Sequence, residues 1–92
     1  MYEVTRTQAY RKSYKRFSKQ KDFDPQTLEN IIIALRRDER LDAKYRDHQL
    51  TGEFKDYREC HVRSDILLVY QKLEHVLVLL LVDLGTHDDL FR

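Results

Sequence analysis

Between residues 54 and 82 the chain carries three runs of strand-type sequence, at about 54–63, 66–72 and 75–82, joined by links of only two or three residues. Links that short join antiparallel neighbours, because a parallel return needs a crossover of a dozen residues or more. Ser64 and Asp65 supply the side-chain acceptors that turns use, and Leu73-Glu74 forms the second tight link. A sheet of this kind has an apolar face to bury, and the remaining chain has to cover it.

The N-terminal half provides the cover. Residues 2–6 alternate and are rich in Tyr, Val and Thr, as a short strand does. From about Thr7 the period changes, and Tyr10, Tyr14 and Phe17 fall on one helical stripe with basic side chains on the remaining arc. Asp24-Pro25 is a helix-start signal, since the Asp side chain accepts from free first-turn amides and proline suits the first helical position. Leu28, Ile31, Ile32 and Leu35 form the stripe of a second helix, and Arg36 and Arg37 sit where the helix dipole favours cations. Residues 38–53 are polar, lack a sustained period and contain Gly52, so they read as a loop that delivers His48 to the sheet. A short turn or helix is expected over residues 86–91. The order is β-α-α-β-β-β, an α+β fold with both N-terminal helices packed on one face of a mainly antiparallel, curled sheet. With 92 residues and no repeat or linker, a single domain over 1–92 is expected.

The one cysteine, Cys60, has no internal disulfide partner, which suits a reducing cytosol and a cytoplasmic location. The longest apolar run, 76–82, is far too short to span a membrane, and no apolar leader opens the chain, so neither a membrane nor secretion is expected. The net charge is only +1, yet it is unevenly spread. Residues 1–21 carry seven Lys or Arg against Glu3 alone, whereas the rest of the chain carries ten against fifteen acidic residues. Arg11, Lys12, Lys15, Arg16, Lys19 and Lys21 form either a solvated helix face or an attractor for a polyanion.

In an extended strand Tyr57, Glu59, His61 and Arg63 share one face while Arg58, Cys60 and Val62 share the other. Cys60 and Val62 therefore belong to the helix-covered core, leaving Glu59 and His61 on the open face. Arg58 departs from that split, at a strand edge or reaching across to a partner. Asp65 starts the next strand near His61, and His87 follows the last strand where Gly85 provides a sharp bend. His48, His61 and His87 ride on a loop, a strand and the chain end, so they meet only through the fold. Imidazoles that converge point to proton transfer or to metal.

An unperturbed imidazole, with a pKa of about 6.5, gives and takes protons near neutrality. Metal-free cleavage of RNA needs such a base for the ribose 2′-hydroxyl, an acid for the departing 5′-oxygen, and cations around the phosphorane. Glu59 and Asp65 are placed to orient the imidazoles. Arg58, Arg63 and the basic helix with Lys15, Arg16 and Lys19 offer charge. Metal ligation by the three histidines with Asp65 is the alternative, but no two of them have the close spacing of familiar zinc motifs. No cofactor is expected. A thiol nucleophile at Cys60 is disfavoured because its side chain and that of His61 leave the strand on opposite faces. His75, beside Glu74, is read as an ordinary histidine without a role. Phe91 is either a core plug or a platform for an unpaired base.

The runs Tyr45-Arg46-Asp47-His48, Leu67-Leu68-Val69-Tyr70 and Gly85-Thr86-His87-Asp88-Asp89-Leu90-Phe91 resemble the YafQ branch of the RelE/ParE toxin superfamily. The resemblance is specific over residues 45–91, and the first half agrees in element order and in its basic first helix. It implies a compact RelE-like toxin that cleaves messenger RNA in the A site of the 70S ribosome and is silenced by a cognate antitoxin. Operator DNA would be reached only through the antitoxin complex. By position, His48, His61, Asp65 and His87 match the family's catalytic histidines and aspartate, Phe91 its terminal aromatic, and Glu59 an acidic position of the group. Asp56, Ile66 and Asp83 depart from residues that are often glycine, tryptophan and basic in relatives. A topoisomerase-poisoning toxin of the same fold, or a catalytically weak partner of an antitoxin, are the alternative functions.

Overall fold

The computed structural model describes residues 1–91. Its elements are β1 (Glu3–Arg6), α1 (Gln8–Phe17), α2 (Pro25–Arg36), β2 (His48–Gln49), β3 (Arg58–Arg63), β4 (Ile66–Leu73), β5 (Val78–Gly85) and α3 (His87–Phe91). One five-stranded sheet has the order β1-β5-β4-β3-β2, with β1 parallel to β5 and the other pairs antiparallel.

Both helix starts follow from their caps. Thr7 Oγ1 accepts from Tyr10 N at 3.0 Å and donates to the Val82 carbonyl at 2.6 Å, so the residue that starts α1 also ties it to β5. Asp24 accepts from Gln26 N and from Thr27 Oγ1, with Pro25 opening α2. The stripe Leu28, Ile31, Ile32 and Leu35 is buried with Tyr10 and Phe17 against Cys60, Val62, Leu68, Tyr70, Leu79, Leu81 and Leu84. The expected α+β fold, with helices covering the apolar side of a curled sheet, is the one observed. No helix among the described residues is long and apolar enough to cross a membrane.

Four details differ from the sequence reading. The loop 38–53 contains a 3-10 turn at Ala43–Tyr45 and the two-residue strand β2, a pairing too short to show as periodicity. β3 begins at Arg58 rather than at 54, because Gly52–Phe54 forms a second 3-10 turn entered through the left-handed Gly52 (φ 65°). The β4–β5 connection is wider than Leu73-Glu74: residues 74–77 form the turn, Leu77 adopts φ 53°, and Val76 and Leu77 stand exposed. An apolar hairpin tip without glycine or asparagine looks like strand to a periodicity reading. Finally, β5 runs on through Asp83 to Gly85 because a bulge absorbs Val82: Val69 pairs with Asp83, but Tyr70 pairs with Leu81.

The face away from the main core is not open throughout. Leu67 and Val69 are buried yet stand outside the main core cluster. Phe54 and Phe91 cover this side of the sheet at Val69, with ring centroids 5.2 Å apart and planes at 82°.

Candidate active site

Strand register sets the site out in two rows. His48 pairs with Glu59, Glu59 with Val69, and Val69 with Asp83, crossing from β2 to β5. Two residues along, His61 pairs with Leu67 and Leu67 with Gly85. Strands lie about 4.8 Å apart, so His61 and Gly85 are separated by roughly 10 Å across Leu67. His87 follows Gly85 directly after Thr86. The three histidine-bearing segments therefore reach one side of one sheet.

The His48 ring is held at both nitrogens. Nδ1 lies 2.7 Å from the Arg46 carbonyl and Nε2 lies 3.2 Å from Glu59 Oε1. A carbonyl only accepts, so Nδ1 carries a hydrogen and Nε2 is left facing the carboxyl group. Glu59 was expected on an open face. It is instead 7% exposed beneath the edge strand that pairs with it, and its Oε2 has no hydrogen-bond partner among the described residues.

His87 opens α3, and the geometry before it depends on a glycine. Thr86 Oγ1 accepts from Asp89 N at 3.1 Å while Asp89 Oδ2 accepts from Thr86 N at 3.1 Å, a reciprocal cap. A Cβ at Gly85 would lie 3.0 Å from Asp89 Cβ, so any side chain there would press α3 outward by a few tenths of an ångström. The exposed His87 ring then lies 5.2 Å from the Phe91 ring, which packs edge-on against Phe54.

His61 borders a different recess, of about 420 Å³, with Lys44, Arg46 and Arg63 among its walls. Asp65 binds Arg63 through both oxygens, at 2.6 and 3.3 Å, rather than an imidazole. Those guanidinium hydrogen bonds hold its carboxyl below the ordinary carboxylate value. Asp65 therefore orients a cation next to His61.

Arg58 does not join the histidines. It bonds the Tyr70 hydroxyl at 3.2 Å, Asp47 at 3.3 Å and Gln49 at 3.4 Å, and Tyr70 in turn donates to Asp47. Burial opposes the Arg58 charge, but the bonds from Tyr70 and Asp47 outweigh it and raise its pKa. Burial first, and Asp47 second, raise the Tyr70 hydroxyl. Arg58 thus ties the β2 edge to the core. Lys15 and Arg16 on α1 and Lys19 in the turn after it are exposed, and Arg16 reaches Asp89 at 3.4 Å, which sets the basic helix beside the helix of His87.

Sequence reasoning missed Phe54 and Tyr57 as walls of the cleft under Phe91, having placed Phe54 in a strand. The signal available was Gly52, which marks a turn two residues earlier. Asp83, which stands where relatives are often basic, is anchored: its Oδ1 accepts from Ser13 Oγ at 2.7 Å and from Leu84 N at 2.8 Å.

Solved toxin structures superpose on this chain. A metal-bound toxin from Helicobacter pylori superposes with a TM-score of 0.92 at 38% identity, over 99% of this chain and 100% of that one. YafQ in the Escherichia coli DinJ-YafQ complex superposes at 0.86 with 28% identity, over 100% of both chains. Among the described residues here, no three His, Cys, Asp or Glu side chains gather into a group able to hold a metal ion. The mRNA interferase toxin YafQ of Escherichia coli K12 is 41% identical over 51 residues, covering 55% of this chain and 53% of the relative. The chain spans about half, or less, of the length of the curated relatives it matches. The family model for the bacterial toxin YafQ of type II toxin-antitoxin systems matches residues 2–92, and this chain belongs to that family.

Proposed function

We propose that this chain is a ribosome-dependent endoribonuclease that cuts translated messenger RNA by histidine acid–base chemistry, without a cofactor. The observation that supports the reading is the register, which pairs His48 with Glu59, two residues from His61, and sets Gly85, two residues before His87, opposite the Leu67 that pairs with His61. In the reaction the ribose 2′-oxygen attacks phosphorus as a base removes its proton. The bond to the 5′-oxygen breaks as an acid protonates it, leaving a 2′,3′-cyclic phosphate and a 5′-hydroxyl. His61 and His87 have no hydrogen-bond partner for their ring nitrogens among the described residues, so they are available for the two transfers. His48, engaged at both nitrogens by Arg46 and Glu59, has no free ring nitrogen for proton transfer and instead holds the β2 edge in place beside the site. Arg63, aligned by Asp65, and the cations Lys15 and Arg16 of α1 and Lys19 just beyond it add positive potential. Phe91 offers a stacking surface.

The cognate partner is an antitoxin whose acidic or amphipathic segment covers the basic α1 surface, a reading supported by the Escherichia coli relative crystallised with DinJ. The test is primer extension on translated messages alongside a gyrase supercoiling assay. Discrete cleavage that His87→Ala reduces at least roughly 100-fold is expected. Inhibited supercoiling with intact messages would instead make the chain a topoisomerase poison.

A further inference from the structure

Next to His87, under the Phe54–Phe91 pair, lies a cleft of about 180 Å³ whose walls include Tyr57 and Val69. Its walls are mostly apolar and aromatic, and one carboxylate, that of Asp83, reaches it. Asp83 is aimed as well as anchored. Ser13 Oγ and Leu84 N both donate to Oδ1, which leaves Oδ2 without a hydrogen bond from any described residue. A fixed acceptor in the wall of a small cleft lined by aromatic and aliphatic side chains fits a compact aromatic ligand that carries an N–H donor on its rim. It does not fit a phosphate, which the carboxylate repels.

On the nuclease reading above, RNA lies across His87, whose ring is 5.2 Å from the Phe91 ring that closes this cleft. The part of RNA with the required chemistry is a base. We propose that the cleft receives one nucleobase next to the cleaved bond and that Asp83 Oδ2 selects bases carrying an exocyclic amino group. Adenine, cytosine and guanine present an exocyclic amino group, whereas the one edge N–H of uracil, at N3, is flanked by two carbonyl oxygens that repel a carboxylate. Asp83 is thereby a specificity residue, and the Val82 bulge that turns it toward the cleft belongs to the recognition site.

The test uses purified protein and a translated reporter message in which each position of one codon is varied through all four bases. At one position, cleavage should be roughly 10- to 100-fold slower with uracil, the range of a hydrogen bond to a charged group. Asp83→Asn can keep its oxygen on Ser13 and Leu84 while an amide donor replaces Oδ2. It should lose that discrimination at the same position, with uracil messages cut as fast as the others or faster. Ser13→Ala, which loosens the carboxylate without removing it, should give intermediate discrimination and decides the matter if Asp83→Asn does not fold. Wild-type cleavage with no position that disfavours uracil, or discrimination unchanged in both variants, overturns the proposal and leaves the nuclease intact. Absence of any wild-type cleavage overturns the nuclease reading itself, and base selection with it.

Discussion

Replacing Glu59 by methionine should make the protein more stable and less active, and the two effects have separate structural causes. Glu59 is 7% exposed, and its Oε2 has no partner among the described residues. A buried acceptor left unpaired costs about 1–3 kcal/mol, and more when charged. Oε1 recovers part of this through His48 at 3.2 Å. The His48 side chain is 48% exposed, however, so water screens the pair and its contribution stays below about 1 kcal/mol. The penalty therefore exceeds the gain. Methionine fills a similar length with no polar atom, and solvent remains available to the His48 nitrogen that loses its partner. Glu59→Met should add about 1 kcal/mol of stability, which for a domain of this size is a rise in Tm of roughly 4–8 °C. The His48 ring would then be held only by the Arg46 carbonyl, and loss of that alignment should slow message cleavage roughly 10- to 100-fold. Thermal melting and a translated-message cleavage assay read the two effects independently. A Tm lowered by several degrees would mean that the carboxyl group stabilises the fold; a raised Tm with full cleavage would remove the His48 clamp from the mechanism.

Gly85→Ala places a methyl 3.0 Å from Asp89 Cβ, so α3 must shift; cleavage should fall roughly tenfold for a loss of about 1 kcal/mol in a urea melt, and unchanged cleavage would show that His87 is not positioned by this contact. Burial raises the Cys60 thiol well above its ordinary range, so iodoacetamide at mildly alkaline pH should label the protein only once urea unfolds it; rapid labelling of the native chain would contradict that burial. The Arg63 bonds lower the folded-state pKa of Asp65, so their small contribution is present above about pH 4 and fades as the pH falls through the depressed value. Asp65→Asn should accordingly flatten the acid side of a stability-against-pH curve, and parallel curves would refute the pairing.

The parts of the fold legible in the sequence were those written in long periods or local caps. The α2 stripe of four aliphatic residues repeats over two turns and needs only a core to pack on, while Asp24-Pro25 marks its start without reference to the rest of the fold. The parts that escaped depend on partners distant along the chain. β2 is two residues long and exists because Glu59 and Arg58 offer a free edge. Phe54 leaves the strand pattern because Phe91, far along the chain, receives its ring. Similarly, Asp65 lies close in sequence to both His61 and Arg63, and no spacing rule says which of them it orients; the answer is two hydrogen bonds to Arg63.

Asp83 shows most directly how packing overrides period. Leu79 and Leu81 are fully buried in the helix-covered core, and strict alternation would send Asp83 into that same core and Leu84 out of it. An unpaired carboxylate among those aliphatic residues would cost several kcal/mol, far more than one interrupted ladder bond. The chain takes the smaller cost: Val82 is left over as a bulge, Leu84 enters the core at 0% exposure, and Asp83 pairs opposite Val69 on the other side. That single extra residue puts the carboxylate in the row that contains Glu59 and His48, within reach of Ser13 and in the wall of the cleft under Phe91. Deleting Val82 should therefore do more than shorten a strand. It forces a choice between burying Asp83 and exposing Leu84, so the deletion should destabilise the protein by several kcal/mol, and a second change, Asp83→Leu, should recover much of that loss in a urea melt. A deletion tolerated without the second change would show that the bulge serves neither the core nor the cleft.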